Sequence, residues 1–112
     1  MGETFDLFAN DPLSVVMRRS SAFRADFMPW LTDNLAIYDE FERLAIQMAG
    51  KRRHFGARCI AEVIRFNTAL REDSDSGFKV NGNFVPCMAR LFALRNPQHA
   101  GLFEFREHKA AA

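Results

Sequence analysis

The sequence predicts an α+β fold that is mostly α-helical, with about four helices and a small two-stranded antiparallel β element. Apolar residues recur at helical spacing in four segments, which are bounded mainly by Pro, Gly or Asp. Two short segments in the C-terminal third alternate between apolar and polar residues, as half-buried strands do. The 112 residues are 48% hydrophobic and include twelve Phe, which is enough for one domain with a largely aromatic core.

The first predicted helix covers residues 12–27 and follows an irregular N-terminal arm, residues 1–10. Asp11 is a favoured N-cap residue, and Pro12 suits the first helical position, where a backbone N–H has no helical partner. Apolar residues after Pro12 roughly follow helical spacing. Pro29 is expected to end this helix or to bend the chain, because proline disfavours helical backbone at the preceding residue.

Two longer helices are predicted over residues 33–49 and 56–71. Apolar residues in the first recur every three or four positions, and Gly50 is a natural C-terminal stop. The inner face of the second is expected to consist of Ile60, Val63, Ile64, Asn67 and Leu70.

The C-terminal third is expected to hold a small β element around a fourth helix. An acidic, Ser-rich turn precedes residues 78–80, which alternate as a short strand does, and residues 81–83 are a strong turn signal. The fourth helix starts near Pro86 and stops before Pro97. Residues 102–106 alternate in the same way, and since an isolated strand is not stable they are expected to pair with residues 78–80.

This order of elements is similar to a winged helix. A standard winged helix has a strand after its first helix and a two-stranded wing at its end, whereas only one clear strand follows the last helix here. The link between the third and fourth helices is also longer than a helix–turn–helix has. Residues 11–107 are expected to form a single globular domain, and residues 108–112 a frayed tail.

Basic residues are concentrated in the middle of the chain. Residues 43–71 carry seven cations against one anion, whereas residues 1–42 have a balance of −5 and the whole chain only +1. Four of the cations lie in the linker of residues 50–58, beside the start of a helix, where backbone N–H groups also attract anions. Phosphate is the commonest partner of such a cluster. The sequence therefore predicts a small non-enzymatic module that binds nucleic acid, in the first place DNA.

The predicted phosphate contacts fall into two groups. The main group is Lys51, Arg52, Arg53, His54, Arg58 and Arg65. The second group is Lys79, Arg90 and Arg95, beside or within the fourth helix. For this second group, two surface arginines beside a tight turn are an equally good interpretation.

A protein partner is the main alternative. The same cations could dock on an acidic surface of a host protein, or the acidic N-terminal part could mimic nucleic acid. Residues 4–8 partly match the short peptide that docks on bacterial sliding clamps, although its leading Gln is absent; an arm packed on the domain is the more ordinary interpretation. Exposed Phe side chains or Trp30 could support a homodimer.

The sequence shows no assembled catalytic, metal or cofactor site. His54, His99 and His108 are spread over three segments, and no His/Cys cluster has metal-ligand spacing. Gly50-Lys51 lacks the other residues of a phosphate-binding loop. Glu107-His108-Lys109 superficially resembles the end of a nuclease motif, but no Asp stands on a neighbouring strand. The prediction is a protein without enzymatic activity, metal or cofactor.

The two cysteines, Cys59 and Cys87, are expected to be buried free thiols in a reducing compartment, since each lies among apolar residues of a predicted helix. The sequence contains no apolar run long enough for a membrane span and no signal-peptide layout. A cytoplasmic location is therefore expected.

Several short sequence segments between residues 38 and 106 resemble segments of small bacteriophage- and prophage-encoded proteins that have no established activity. They include Arg53-His54-Phe55, Glu62-Val63-Ile64-Arg65, Gly77-Phe78-Lys79-Val80-Asn81, Ala89-Arg90-Leu91-Phe92 and Gly101-Leu102-Phe103-Glu104-Phe105-Arg106. The resemblance implies a bacterial or phage cytoplasmic context. It implies no catalytic residue.

Overall fold

Five α-helices and three short 3₁₀ turns make up the described parts of the chain, residues 9–71 and 82–104 of a computed structural model. The α-helices are α1 (Pro12–Arg18), α2 (Phe27–Asp33), α3 (Leu35–Ala49), α4 (Ala57–Arg71) and α5 (Val85–Arg95). The 3₁₀ turns are Ser20–Ala22, Gly82–Phe84 and Pro97–His99. No helix in these two ranges is both long and apolar enough to cross a bilayer.

The prediction of a two-stranded β element is wrong, because the two described ranges contain helices and turns but no strand. Leu102 and Phe103 lie in a bend after the last 3₁₀ turn, and both side chains are buried, with 3% and 5% of their surface exposed. Neighbouring residues of a strand point to opposite faces, so two adjacent buried side chains need a bend rather than a half-exposed strand. The proposed partner strand, residues 78–80, lies outside the described residues, and the similarity to a winged helix loses its basis.

The first predicted helix is broken into three pieces. α1 ends at Arg18, a 3₁₀ turn follows, and α2 begins at Phe27 and runs through Pro29. Pro29 is the third residue of α2, a position whose N–H has no partner within the helix, so proline fits there without loss of a hydrogen bond. Phe23 and Phe27 nevertheless stack with their ring centroids 5.4 Å apart, because the turn leaves both side chains in the core.

The other helix boundaries lie close to their predicted positions. α3 ends at Ala49 with Gly50 as its C-cap residue. α4 begins one residue later than predicted, and Pro86 is the second residue of α5. These ends were predictable because the Gly and Pro that mark them act through the local backbone.

The inner face of α4 is rotated relative to the prediction. Ile60 and Ile64 are buried as expected, together with Ala61 and Thr68. The other large apolar residues of α4 are exposed, Val63 by 46%, Phe66 by 64% and Leu70 by 70%. Helical spacing alone was ambiguous, since it fits both the buried set and this exposed stripe.

The core combines aromatic and aliphatic side chains, since seven of the twenty buried apolar residues in the described chain are aromatic. α5 lies at its centre and packs against α1, α3 and α4. Phe103 joins the rings of Phe41 and Phe92, with centroid distances of 5.6 Å and 5.4 Å. The largest fully buried side chains are Tyr38, Phe27, Phe41, Phe92, Leu31, Ile64, Met88 and Leu91. Such packing fixes α5, and therefore the loops at both of its ends, relative to α3 and α4.

The two free cysteines differ in their surroundings. Cys87 is buried as predicted, and its burial raises the pKa of its thiol above the ordinary value. The prediction for Cys59 is wrong, because this residue lies on the exposed side of α4. Sequence neighbours do not distinguish the two, since both cysteines are followed by apolar residues within a helix.

Asp11 caps α1, and its removal is expected to destabilise the protein by about 1 kcal/mol. Its carboxylate accepts the backbone N–H of Ser14 at 3.1 Å. Hydrogen bonding from Ser14, first from its side chain and then from its backbone, lowers the pKa of Asp11 below the ordinary value. A lowered pKa in the folded protein means that the part of the stabilisation that depends on the negative charge is complete above the pKa of the unfolded chain and is lost as the pH falls through the folded value.

Urea unfolding of the wild type and of Asp11→Ala between pH 7 and pH 3 tests this prediction. The difference in free energy of unfolding should shrink toward the acidic end. Asp11→Asn is the matched control, because its side-chain oxygen can still accept the Ser14 N–H and should preserve most of the stability. An alanine variant as stable as the wild type at pH 7 would contradict the capping role.

Candidate nucleic-acid interface

The basic linker between α3 and α4 is attached to the fold at both ends. At its start, the N–H groups of Lys51 and Arg52 both donate to the carbonyl of Met48, each at 2.9 Å. At its end, the N–H of Phe55 donates to the carbonyl of Leu102 at 2.9 Å. The side chains from Lys51 to His54 remain exposed between these two attachments. The linker therefore presents a row of cations on an anchored backbone.

Two adjoining clefts border this linker, and His54 lines both of them. The smaller cleft has a volume of about 550 Å³ and is lined by residues of the linker and by the turn that contains His99. The larger has a volume of about 1060 Å³ and lies where the starts of α4 and α5 face each other. The shared histidine makes the two clefts neighbours on one surface.

The larger cleft has cationic and apolar walls. Its cations are Arg24, Arg58 and Arg90, and Glu104 is the only carboxylate among its described lining residues. The apolar part includes the half-buried Phe55 and the buried residues Val85, Ala89 and Phe103. We use the name basic strip for the residues Lys51, Arg52, Arg53, His54 and Arg58, which border the two clefts.

The cations of the basic strip are not neutralised within the described part of the chain. No carboxylate of residues 9–71 or 82–104 forms an ion pair with Lys51, Arg52, Arg53 or Arg58. By contrast, Arg24 pairs with Asp26 at 2.6 Å, and Arg43 pairs with Glu40 at 3.8 Å. The cations of the basic strip thus lie close to one another, and their charge is not compensated within the described residues. An anionic ligand requires both.

Arg90 and Arg24 also line the larger cleft, although neither belongs to the linker. Arg90, a predicted contact, donates from Nη1 to the carbonyl of Ala22 at 3.3 Å. Arg24 was not predicted; its guanidinium lies over the ring of Phe84, 5.4 Å from the ring centroid. The sequence offers little signal for Arg24, because it lies in the acidic N-terminal part, 34 positions before Arg58.

Arg65 and Lys79 do not join the basic strip. Arg65 lines neither cleft, and its Nη1 donates to Glu62 at 2.6 Å in an exposed pair three residues apart on α4. Lys79 lies outside the described residues. Of the nine predicted contacts, the structure brings together these six: Lys51, Arg52, Arg53, His54, Arg58 and Arg90.

Arg95 has a structural role instead of lying on the interface. Its guanidinium forms a largely buried ion pair with Glu42 on α3, and its Nε donates to the carbonyl of Asn10 at 2.6 Å. It also lies over the ring of Tyr38, 5.8 Å from the ring centroid. Asn96 donates to the second carboxylate oxygen of Glu42 at 2.6 Å. Two consecutive residues, Arg95 and Asn96, therefore bind this carboxylate.

Ionisation in this cluster follows from burial and charge. Burial first, and then the negative charge of Glu42, raise the pKa of Tyr38 above its ordinary value. Burial opposes the charged form of Arg95, but its hydrogen bond with Tyr38 and the charge of Glu42 outweigh that effect and raise its pKa. Arg95 and Glu42 therefore neutralise each other inside the fold.

Comparisons of the chain with protein-family models, with curated proteins and with solved structures found no match. The resemblance to phage proteins stays a prediction. The described residues also contain no group of three or more His, Cys, Asp or Glu side chains arranged to hold a metal ion. The geometry of the basic strip and its clefts is thus the observation on which a functional assignment can rest.

Proposed function

We propose that this protein is a small nucleic-acid-binding module that holds phosphate groups along the basic strip. One observation carries the proposal: four cations without carboxylate partners in the described chain, Lys51, Arg52, Arg53 and Arg58, border two clefts that share His54. A row of uncompensated cations attracts a row of phosphates by releasing the counterions condensed on the nucleic acid.

The position of the strip supports a phosphate ligand over a general acidic surface. Arg58 lies in the first turn of α4, where the helix dipole adds a partial positive charge. An acidic surface on a host protein would satisfy the same cations, but it would leave the recessed larger cleft without an occupant. We therefore propose nucleic acid, and DNA in particular, as the ligand in preference to a host protein. A phage or prophage origin is also part of the proposal.

Binding that weakens steeply with salt is the expected result. Four phosphate contacts on a single strand give a slope of about −3 for log affinity against log salt, or roughly a 50-fold loss between 50 and 200 mM salt. Fluorescence anisotropy with labelled single-stranded and duplex DNA and RNA of equal length measures this slope. Absence of binding to all four at 50 mM salt would contradict the proposal.

A second measurement separates nucleic acid from a host protein. Tagged protein is used to capture partners from a bacterial lysate before and after nuclease treatment. Nucleic acid that copurifies and is lost on treatment supports the proposal. A stoichiometric protein partner that survives treatment, from a lysate in which no nucleic acid copurifies, would favour the alternative.

A further inference from the structure

We propose that the larger cleft receives an unpaired nucleobase, so that the ligand of the basic strip is a single-stranded nucleic acid. This inference rests on the proposed function and adds the part of the ligand that enters the cleft. Phosphate binding needs only surface cations, whereas the larger cleft also has apolar walls that phosphates cannot use. A nucleobase is the part of the same ligand that matches an apolar wall.

The size and the lining of the cleft suit a flat ring with polar edges. Its volume of about 1060 Å³ is slightly above the ~300–1000 Å³ that is usual for ligand sites, so the cleft has room for a base. The half-buried aromatic residue Phe55 lines the cleft together with the apolar residues Val85 and Ala89. Arg58 and Arg90 bring guanidinium planes, which stack on bases and also donate hydrogen bonds to their edges.

Duplex nucleic acid does not present such a group. The bases of a duplex are stacked and paired inside it, so its surface offers phosphates, sugars and base edges. Val85, Ala89 and Phe103 have only 4%, 3% and 5% of their surface exposed, so a rigid duplex surface would cover little apolar area on them. A single strand can turn one base out of its stack and still keep its phosphates on the surface.

The two clefts give such a strand a continuous path. Phosphates held by Lys51, Arg52 and Arg53 lie beside the smaller cleft, and His54 is the residue at which that cleft meets the larger one. Phe55 follows directly in the sequence, and the hydrogen bond from its N–H to the carbonyl of Leu102 fixes its backbone beside the larger cleft. A base that follows these phosphates along the strand therefore reaches Phe55 first.

Abasic DNA provides the decisive comparison, because it has the same phosphates as an ordinary strand and no bases. We expect a ten-nucleotide oligothymidine to bind the wild type about 10-fold more tightly than an abasic strand of equal length, since stacking of one base on an aromatic side chain gives roughly 5- to 150-fold. Phe55→Leu keeps an apolar side chain at this position but removes the aromatic ring. It should lower the affinity for oligothymidine toward that for the abasic strand and leave the abasic affinity unchanged.

Two further variants make the comparison specific. Phe66→Leu makes the same change at an exposed residue of α4 that lines neither cleft, and it should leave the preference for oligothymidine intact. Gly56→Leu adds a side chain at a residue that lines the larger cleft, and it does so without strain, because a Cβ at Gly56 would lie 3.7 Å from Sγ of Cys59 and its backbone is not in the left-handed region. It should reduce the preference even if Phe55→Leu fails to fold, which circular dichroism would reveal.

Each outcome has a definite meaning. Equal affinity of the wild type for oligothymidine and for the abasic strand would overturn the inference, while salt-dependent binding of both would leave the proposed function in place. Loss of the preference in Phe66→Leu as much as in Phe55→Leu would also overturn it. Binding to duplex DNA or RNA but to neither single strand would overturn the inference alone. Absence of binding to these strands and to both duplexes would overturn the proposed function itself.

Discussion

Simultaneous replacement of Lys51, Arg52 and Arg53 by alanine is expected to weaken nucleic-acid binding by about 10- to 100-fold at 50 mM salt. These three side chains are exposed, follow one another on an anchored linker and have no carboxylate partner in the described chain. Each phosphate contact that is lost removes about 0.7 from the salt slope of a single strand, so the slope should fall by about 2. Anisotropy titrations at several salt concentrations measure the affinity and the slope together.

The control for this variant removes the same net charge from another part of the surface. Arg19, Arg43 and Arg65 are exposed and line neither cleft, and Arg43 and Arg65 are paired with carboxylates. Their triple replacement by alanine should change the affinity by less than about threefold, because only the general electrostatic attraction is altered. If both triple variants lose affinity equally, the net charge of the protein and not the basic strip is responsible.

The second large effect concerns stability. Glu42→Ala is expected to lower the free energy of unfolding by about 3 kcal/mol, because it leaves the guanidinium of Arg95 inside the fold without its counter-ion. The two side chains are only 15% and 17% exposed, so water can solvate the orphaned charge only in part. Asn96 would also lose one of the two acceptors of its side-chain amide and keep the other, the carbonyl of Phe92. Urea denaturation of the two proteins measures this difference.

Two further variants show whether burial of the Glu42–Arg95 ion pair causes the loss of stability in Glu42→Ala. Glu62→Ala removes a carboxylate from the exposed pair with Arg65, and it should cost only about 0.5 kcal/mol. The double variant Glu42→Ala with Arg95→Met removes both charges and should recover part of the loss, since no unpaired charge then remains buried. A Glu42→Ala protein as stable as Glu62→Ala would show that the ion pair has no structural importance.

Local signals in the sequence were enough for the ends of the three longer helices. Gly50 and Pro86 act on the backbone conformation of their own neighbourhood, so their effect does not depend on the rest of the fold. Pro29 was misjudged, because proline both ends a helix and suits the first turn of the next one, and the sequence does not say which applies. The β element was mispredicted for a related reason: the alternation over residues 102–106 does not reveal that Leu102 and Phe103 lie in a bend with both side chains buried.

The composition of the interface was predictable mainly where its residues are close in the sequence. The linker cations from Lys51 to Arg53 could be recognised from their density alone. The role of Arg95 depends on Glu42, 53 positions away, and the arrival of Arg24 at the same cleft as Arg58 depends on how α2 packs. Such long-range contacts result from tertiary packing, and periodicity within one helix contains no information about them.

The two backbone attachments of the linker have a consequence for how quickly the protein can find its ligand. A free loop of this length would lose much of its conformational entropy when it closes on a ligand, and that loss would subtract from the affinity. Here Met48 and Leu102 already restrain the backbone, so most of this entropy is lost when the chain folds. Encounter with a polyanion can then proceed at a rate set by diffusion and electrostatic steering, without a slow rearrangement of the main chain.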